Sequence, residues 1–180
     1  MSDQSTADGL RYPIGPMIIP ASVTPAERAA HLESIRTLPQ RLRAALAGLS
    51  EEQLERPYRP GGWTIRQTVH HLADSHMNSY IRFKLAATEE RPTVRPYDQD
   101  AWAELRDGKS APIELSLQLL DALHTRWSIF LDSLEEADWA RVFVHPAMGD
   151  VRLDAAASLY AWHSDHHLAH IVNVRQREGF

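Results

Sequence analysis

No cysteine occurs among the 180 residues. That absence excludes disulfides, thiolate metal ligands and a cysteine nucleophile, and it fits a reducing cytosol. Long apolar runs are missing as well. The stretch "PIGPMIIPA" is short and broken by prolines, and nothing approaches the roughly 18 apolar residues that a bilayer span requires. Positive charge is in the minority, with 19 Lys and Arg against 24 Asp and Glu. The resulting net charge of -5, with no basic stripe, argues against a nucleic-acid partner. The opening "MSDQSTADGL" lacks the basic start of a signal peptide. What remains is an ordinary globular composition, 43% hydrophobic and 24% charged. These observations predict a soluble, cytoplasmic protein with a flexible tail over residues 1–11 and a single domain over residues 12–180.

Proline and glycine gather around residues 13–25, 57–62, 92–112 and 146–149. Four long segments with few breakers lie between them and read as helices. The first opens at Thr24, with Pro25 suited to the first helical position and Glu27 completing a capping box, and it stops at Gly48. The second opens at Thr64 with Gln67 three residues on and runs to about Ala87. Its buried face is marked by Ile65, Val69, Leu72, His76, Tyr80 and Phe83. The third follows Pro112, with Leu115, Leu119, Leu123, Trp127 and Leu131 as its stripe. The fourth starts from Asp154 as cap and ends at Gly179. Strand periodicity is nearly absent, although "VFVHP" and "MGDVRL" suit one small hairpin. The fold class is therefore all-α, a four-helix bundle.

Histidine is what this sequence has in abundance. Four of its ten histidines, His163, His166, His167 and His170, fall within eight residues of the fourth helix. His163 and His167 are four apart, as are His166 and His170, so either pair shares a helix face and suits one metal ion. The second helix adds His70, His71 and His76. The plain alternative for each is a solvated or core side chain, but helix propensity gives no reason to choose histidine so often. H-E-x-x-H is ruled out, because position 164 is serine. Spacing leaves both pairs on the fourth helix open, and it does not separate His70 from His71. His71 does share a line with Thr68, Ser75, Asn78 and Arg82, a polar line more suited to a wet pocket than to a core.

Three blocks, "PYRPGGWTIRQTVHHLADSHMNSYIRFKL", "RPYDQDAW" and "LYAWHSDHHLAHI", together resemble the YfiT-like branch of the DinB superfamily, whose members are described as metal-dependent hydrolases. The likeness runs from about Tyr12 to the C-terminus. It implies a four-helix bundle with one divalent metal ion per chain, zinc or nickel, held by His71, His163 and His167. It also implies a homodimer in the cytoplasm. Other DinB-like proteins transfer low-molecular-weight thiols such as bacillithiol.

A three-imidazole site leaves a divalent ion its full charge and an open position, which activates water or, equally, a thiol. The expected function is hydrolysis of a small-molecule substrate, with thiol transfer as the alternative and a purely structural metal as the third reading. Thiol transfer calls for a basic patch near the ion, for which Arg66 and Arg82 are available. Asp74 and Asp165 are candidates for orienting the ligands. His166, His170 and His76 are candidate proton shuttles. Tyr97, Asp98 and Trp102 either shape the pocket from a loop or belong to a short capped helix packed on the bundle.

Overall fold

The computed structural model describes residues 9–180. Residues 1–8 of the expected tail lie outside them, whereas residues 9–11 have helical backbone. Four long helices dominate: α1 (Pro25–Leu46), α2 (Ile65–Thr88), α3 (Ile113–Asp132) and α4 (Leu153–Glu178). Among the described residues no helix is long and apolar enough to cross a membrane.

Local chemistry sets the helix ends. Thr24 and Thr64 each accept a hydrogen bond from the backbone N–H three residues on, and Glu27 and Gln67 return it, so both α1 and α2 begin in capping boxes. α4 ends at Gly179, whose φ of 76° is left-handed and suits glycine. Its start differs from expectation. Arg152 holds the cap position, while Asp154 lies buried in the first turn, accepting from the Ala155 N–H at 2.7 Å and from Arg152.

α1 packs against α3 and α4, and α2 also packs against α3 and α4. Helices consecutive in sequence, α1 with α2 and α3 with α4, therefore stand on diagonals of the bundle. The α3–α4 connection contains an antiparallel hairpin, β1 (Val142–His145) paired with β2 (Gly149–Arg152). The segment leaving α2 is tacked onto it, with Val94 N–H donating to the Val144 carbonyl and Val144 N–H to the Pro92 carbonyl at 2.9 and 2.8 Å.

The α3 face is rotated from the expected one. Leu115 and Leu119 are exposed, while Leu117, Leu120, His124, Trp127 and Leu131 are buried. A strict step of four advances about 40° beyond a full turn each time and winds off the helix face; alternating threes and fours stay on it.

Two apolar clusters form the interior. One gathers Ile35, Phe83, Trp127, Leu153 and Tyr160; the other gathers Leu38, Leu42, Val69, Leu72, Leu120 and Ile171. On all four helices the clusters occupy opposite ends of the buried stretch. His76, His124 and His163 lie between them in sequence, as a polar layer across the bundle.

Candidate metal centre

α2 and α4 are spatial neighbours, so the histidines on their facing sides converge. The ligand atoms of His71, His163 and His167 all lie within 4.8 Å of one another, and His71 Nε2 is 3.1 Å from His163 Nε2. The rings of His163 and His167, one helical turn apart, have centroids separated by 4.5 Å. Burial pushes the His71 pKa down to about 3, with His166 adding to the effect. Burial and the neighbouring imidazoles hold His163 and His167 well below the ordinary value. All three rings are neutral at physiological pH, the form a metal ion requires. With His167 Nδ1 also buried and unpartnered, the donor set fits a divalent cation.

Behind His163 runs a chain of imidazoles. His163 Nδ1 lies 3.1 Å from His76 Nε2, His76 Nδ1 lies 3.0 Å from His124 Nε2, and His124 Nδ1 lies 2.7 Å from the Ile35 carbonyl oxygen. A carbonyl only accepts, so His124 Nδ1 carries the proton. Its ring is neutral, held near 4 by burial, and Nε2 is therefore an acceptor. His76 Nδ1–H must then donate, leaving His76 Nε2 to accept from His163 Nδ1–H. One backbone oxygen thus fixes three tautomers and leaves the His163 Nε2 lone pair facing His71. The Ile35 carbonyl is free for this because the residue four positions on, Pro39, has no N–H to offer it.

The structure separates His70 from His71. Both nitrogens of His70 are occupied elsewhere, Nδ1 by Ser116 Oγ at 2.7 Å and Nε2 by the Ala111 carbonyl at 3.1 Å. His166, His167 and His170 form a second trio within the same 4.8 Å limit, sharing His167. His166 stacks on Trp162 at 4.2 Å and His170 on Tyr58 at 3.9 Å, while His170 Nε2–H donates to the Arg11 carbonyl.

Neither aspartate orients a ligand. Asp165 accepts from Arg41 at 2.7 Å and Ser34 at 3.0 Å, on the α1 side of α4. The Asp74 side chain makes no hydrogen bond to a histidine, and burial, with Asp107 nearby, raises its pKa to about 6. Asp98 caps the short helix Gln99–Ala103 and Trp102 packs on Tyr97 at 4.4 Å, while Tyr97 also walls a cavity that reaches His163, so the segment combines both expectations. Arg66 is taken by Glu51 and Glu55, both at 2.6 Å. His124 is the participant that sequence reasoning missed; its signal was the three-and-four spacing with Leu120, Trp127 and Leu131.

Two cavities reach His163. One, of about 310 Å³, is walled by Tyr12, Arg59, Trp63, His166, His167 and His170. The other, of about 270 Å³, is walled by Ser75, Arg82, Tyr97, His145 and Tyr160. Ser75 Oγ stands 3.5 Å from His163 Nε2.

A family model described as DinB superfamily matches residues 34–171. The chain belongs to the DinB superfamily. It is 51% identical over 168 residues to a protein of Bacillus mycoides (strain KBAB4) named "Putative metal-dependent hydrolase", a match covering 93% of this chain and 96% of that protein. A protein of the same description from Bacillus cereus (strain ZK / E33L) is likewise 51% identical, with the same coverage. Among solved structures, YfiT from Bacillus subtilis is similar with a TM-score of 0.93 and 46% identity, covering 96% of this chain and 99% of that one. YfiT is described as a probable metal-dependent hydrolase with an unusual four-helix bundle topology. The diagonal placement of consecutive helices here is consistent with that description.

Proposed function

We propose that this protein is a metal-dependent hydrolase in which His71, His163 and His167 hold one divalent ion, zinc or nickel. The observation that carries the reading is the approach of three neutral imidazoles from two helices, with His71 Nε2 and His163 Nε2 at 3.1 Å. When bound, such an ion supplies Lewis acidity and a water ionisable near neutral pH. The chain's own part is positional. His76 and His124 hold His163 in one tautomer, and the two cavities admit a small molecule to its exposed side. His166 and His170 wall the larger cavity as neutral bases, each pushed by burial to about 4. Among the described residues no carboxylate joins the trio, which favours an open site over a structural staple.

Transfer of a low-molecular-weight thiol is the second reading. It is favoured by Arg82, a buried cation walling a cavity that also reaches His163. Cytoplasmic location and a homodimer are proposed on the resemblance to relatives; light scattering tests the latter.

The deciding experiment begins with elemental analysis of untagged protein, expected to give one divalent ion per chain, lost in His71→Ala, His163→Ala and His167→Ala but kept in His70→Ala. Metal-loaded protein is then assayed against esters and amides, and against a chlorinated dinitrobenzene with and without bacillithiol, mycothiol or glutathione. Hydrolysis without added thiol supports the reading. Turnover only with thiol transfers the assignment to the second, and a metal content below about a third per chain after reconstitution refutes both.

A further inference from the structure

On α2, His71, Ser75, Ser79 and Arg82 recur at spacings of four, four and three and so share one face. All four are buried. Helix faces that enter a core are normally apolar, and arginine is almost never buried without an acidic partner. Arg82 is 9% exposed and, among the described residues, makes no ion pair. Its one hydrogen bond is from Nη2 to the Arg95 carbonyl at 3.2 Å. A guanidinium has five N–H donors, so most of this group is unspent. Ser79 Oγ, on the same face, is buried with no partner at all.

This uncommitted cation faces a space that reaches the candidate metal centre. Arg82, Ser75, Tyr97 and His145 wall the same cavity of about 270 Å³ as His163. The positive charge of Arg82 is felt inside it, since it helps burial hold His145 below its ordinary pKa. Burying an unpaired charge is costly and is tolerated where a ligand completes the pair. The planar fork of a guanidinium matches the two oxygens of a carboxylate, and one positive charge balances one carboxylate rather than a phosphate dianion.

We infer that the Arg82 cavity is the subsite for a carboxylate of the substrate. The protein acts on small molecules whose carboxylate lies several bonds from the group presented to the histidine cluster. Ser75, beside His163 Nε2, and Arg82 are seven residues apart, roughly 10 Å along the helix axis. Tyr97, from the loop that the hairpin holds in place, walls the same cavity beside Ser75 and Arg82. Naming the substrate class in this way rests on the hydrolase reading of the histidine cluster.

Binding to the zinc-loaded full chain tests it without turnover. The probes are hippurate (benzoylglycine), its uncharged methyl ester, and phenyl phosphate, measured by titration calorimetry. Hippurate is expected to bind, and Arg82→Gln to weaken it roughly 10–100-fold, the range for losing hydrogen bonds to a charged group. Zinc content and methyl ester affinity should not change. Arg82→Lys should recover only part of the loss, because it keeps the charge without the fork. Should either variant fail to fold, the wild type still decides: hippurate, but not its methyl ester, should protect Arg82 from a dicarbonyl reagent, read by peptide mass spectrometry. No hippurate binding, equal affinity in Arg82→Gln, or tighter binding of phenyl phosphate each overturns the assignment. A protein that binds hippurate through Arg82 but hydrolyses no ester refutes the hydrolase reading alone.

Discussion

His76 Nδ1 and His124 Nε2 lie 3.0 Å apart between the two apolar clusters, and neither residue is more than 1% exposed. This contact joins α2 to α3 and makes the orientation of His163 depend on a residue that is not itself a candidate ligand. His124→Phe keeps the ring volume but removes the acceptor for His76 Nδ1–H. Metal affinity should fall about 10–100-fold with the stoichiometry unchanged, as measured by chelator competition. In the wild type, ¹⁵N spectra of the imidazoles should show single tautomers for His76 and His124. A mixture of tautomers at either position would refute the ordering deduced from the Ile35 carbonyl.

Acid should destabilise the metal-free protein steeply. Burial first of all holds His71 at about 3 and His124, His166 and His170 at about 4, whereas the unfolded chain titrates them near 6.5. Below pH 6.5 the unfolded state takes up protons that the folded state refuses, so stability is lost as pH falls. Each such histidine contributes a slope of about 1.4 kcal/mol per pH unit. Urea unfolding at pH 7.5, 6.5 and 5.5 in the presence of chelator should therefore show a loss of several kcal/mol over the last unit. A flat profile would mean that the histidine layer is hydrated rather than buried.

Asp74 has the opposite sign. Burial raises its pKa to about 6 from an ordinary 3.8, so its ionisation favours the unfolded chain as pH rises through that window, and the full cost is present above pH 6. Asp74→Asn should stabilise the protein by about 1–2 kcal/mol at pH 7.5 and by little at pH 4. Paired unfolding curves at the two pH values give the answer.

The rotated face of α3 makes a contrast between adjacent leucines. Leu120 is fully buried and Leu119 is 42% exposed. Leu120→Ala should cost about 2–5 kcal/mol, and Leu119→Ala should stay within about 0.5 kcal/mol. Equal effects in denaturant titrations would restore the strict step of four.

Helix ends were legible because their chemistry is local. A threonine, a glutamate three residues on and a terminal glycine each act within one turn, and α1, α2 and the end of α4 follow them closely. The convergence of His71, His163 and His167 was accessible through spacing joined to family resemblance. What stayed hidden depends on which faces meet. His124 stands alone in its segment and gains meaning only opposite His76. Asp165 was a candidate to orient a ligand imidazole, yet it stands two residues from both His163 and His167, which turns its side chain about 200° from theirs, here toward Arg41 and Ser34. The freedom of Arg82 is likewise a statement about neighbours that no local pattern contains.

Pro39 interrupts the hydrogen bonding of α1, so the Ile35 carbonyl has no backbone N–H from four residues on to compete with His124 Nδ1–H. A defect in one helix thereby becomes an address for a proton in another, and a backbone atom with no side-chain identity governs the wiring of the site. The position that matters is then 39 rather than 35, since any residue can supply a carbonyl but only proline declines to use it. Pro39→Ala would mend the helix and offer the Ile35 oxygen a competing donor. A substitution that looks like repair would loosen the far end of the imidazole chain, two rings away from the candidate ligand His163.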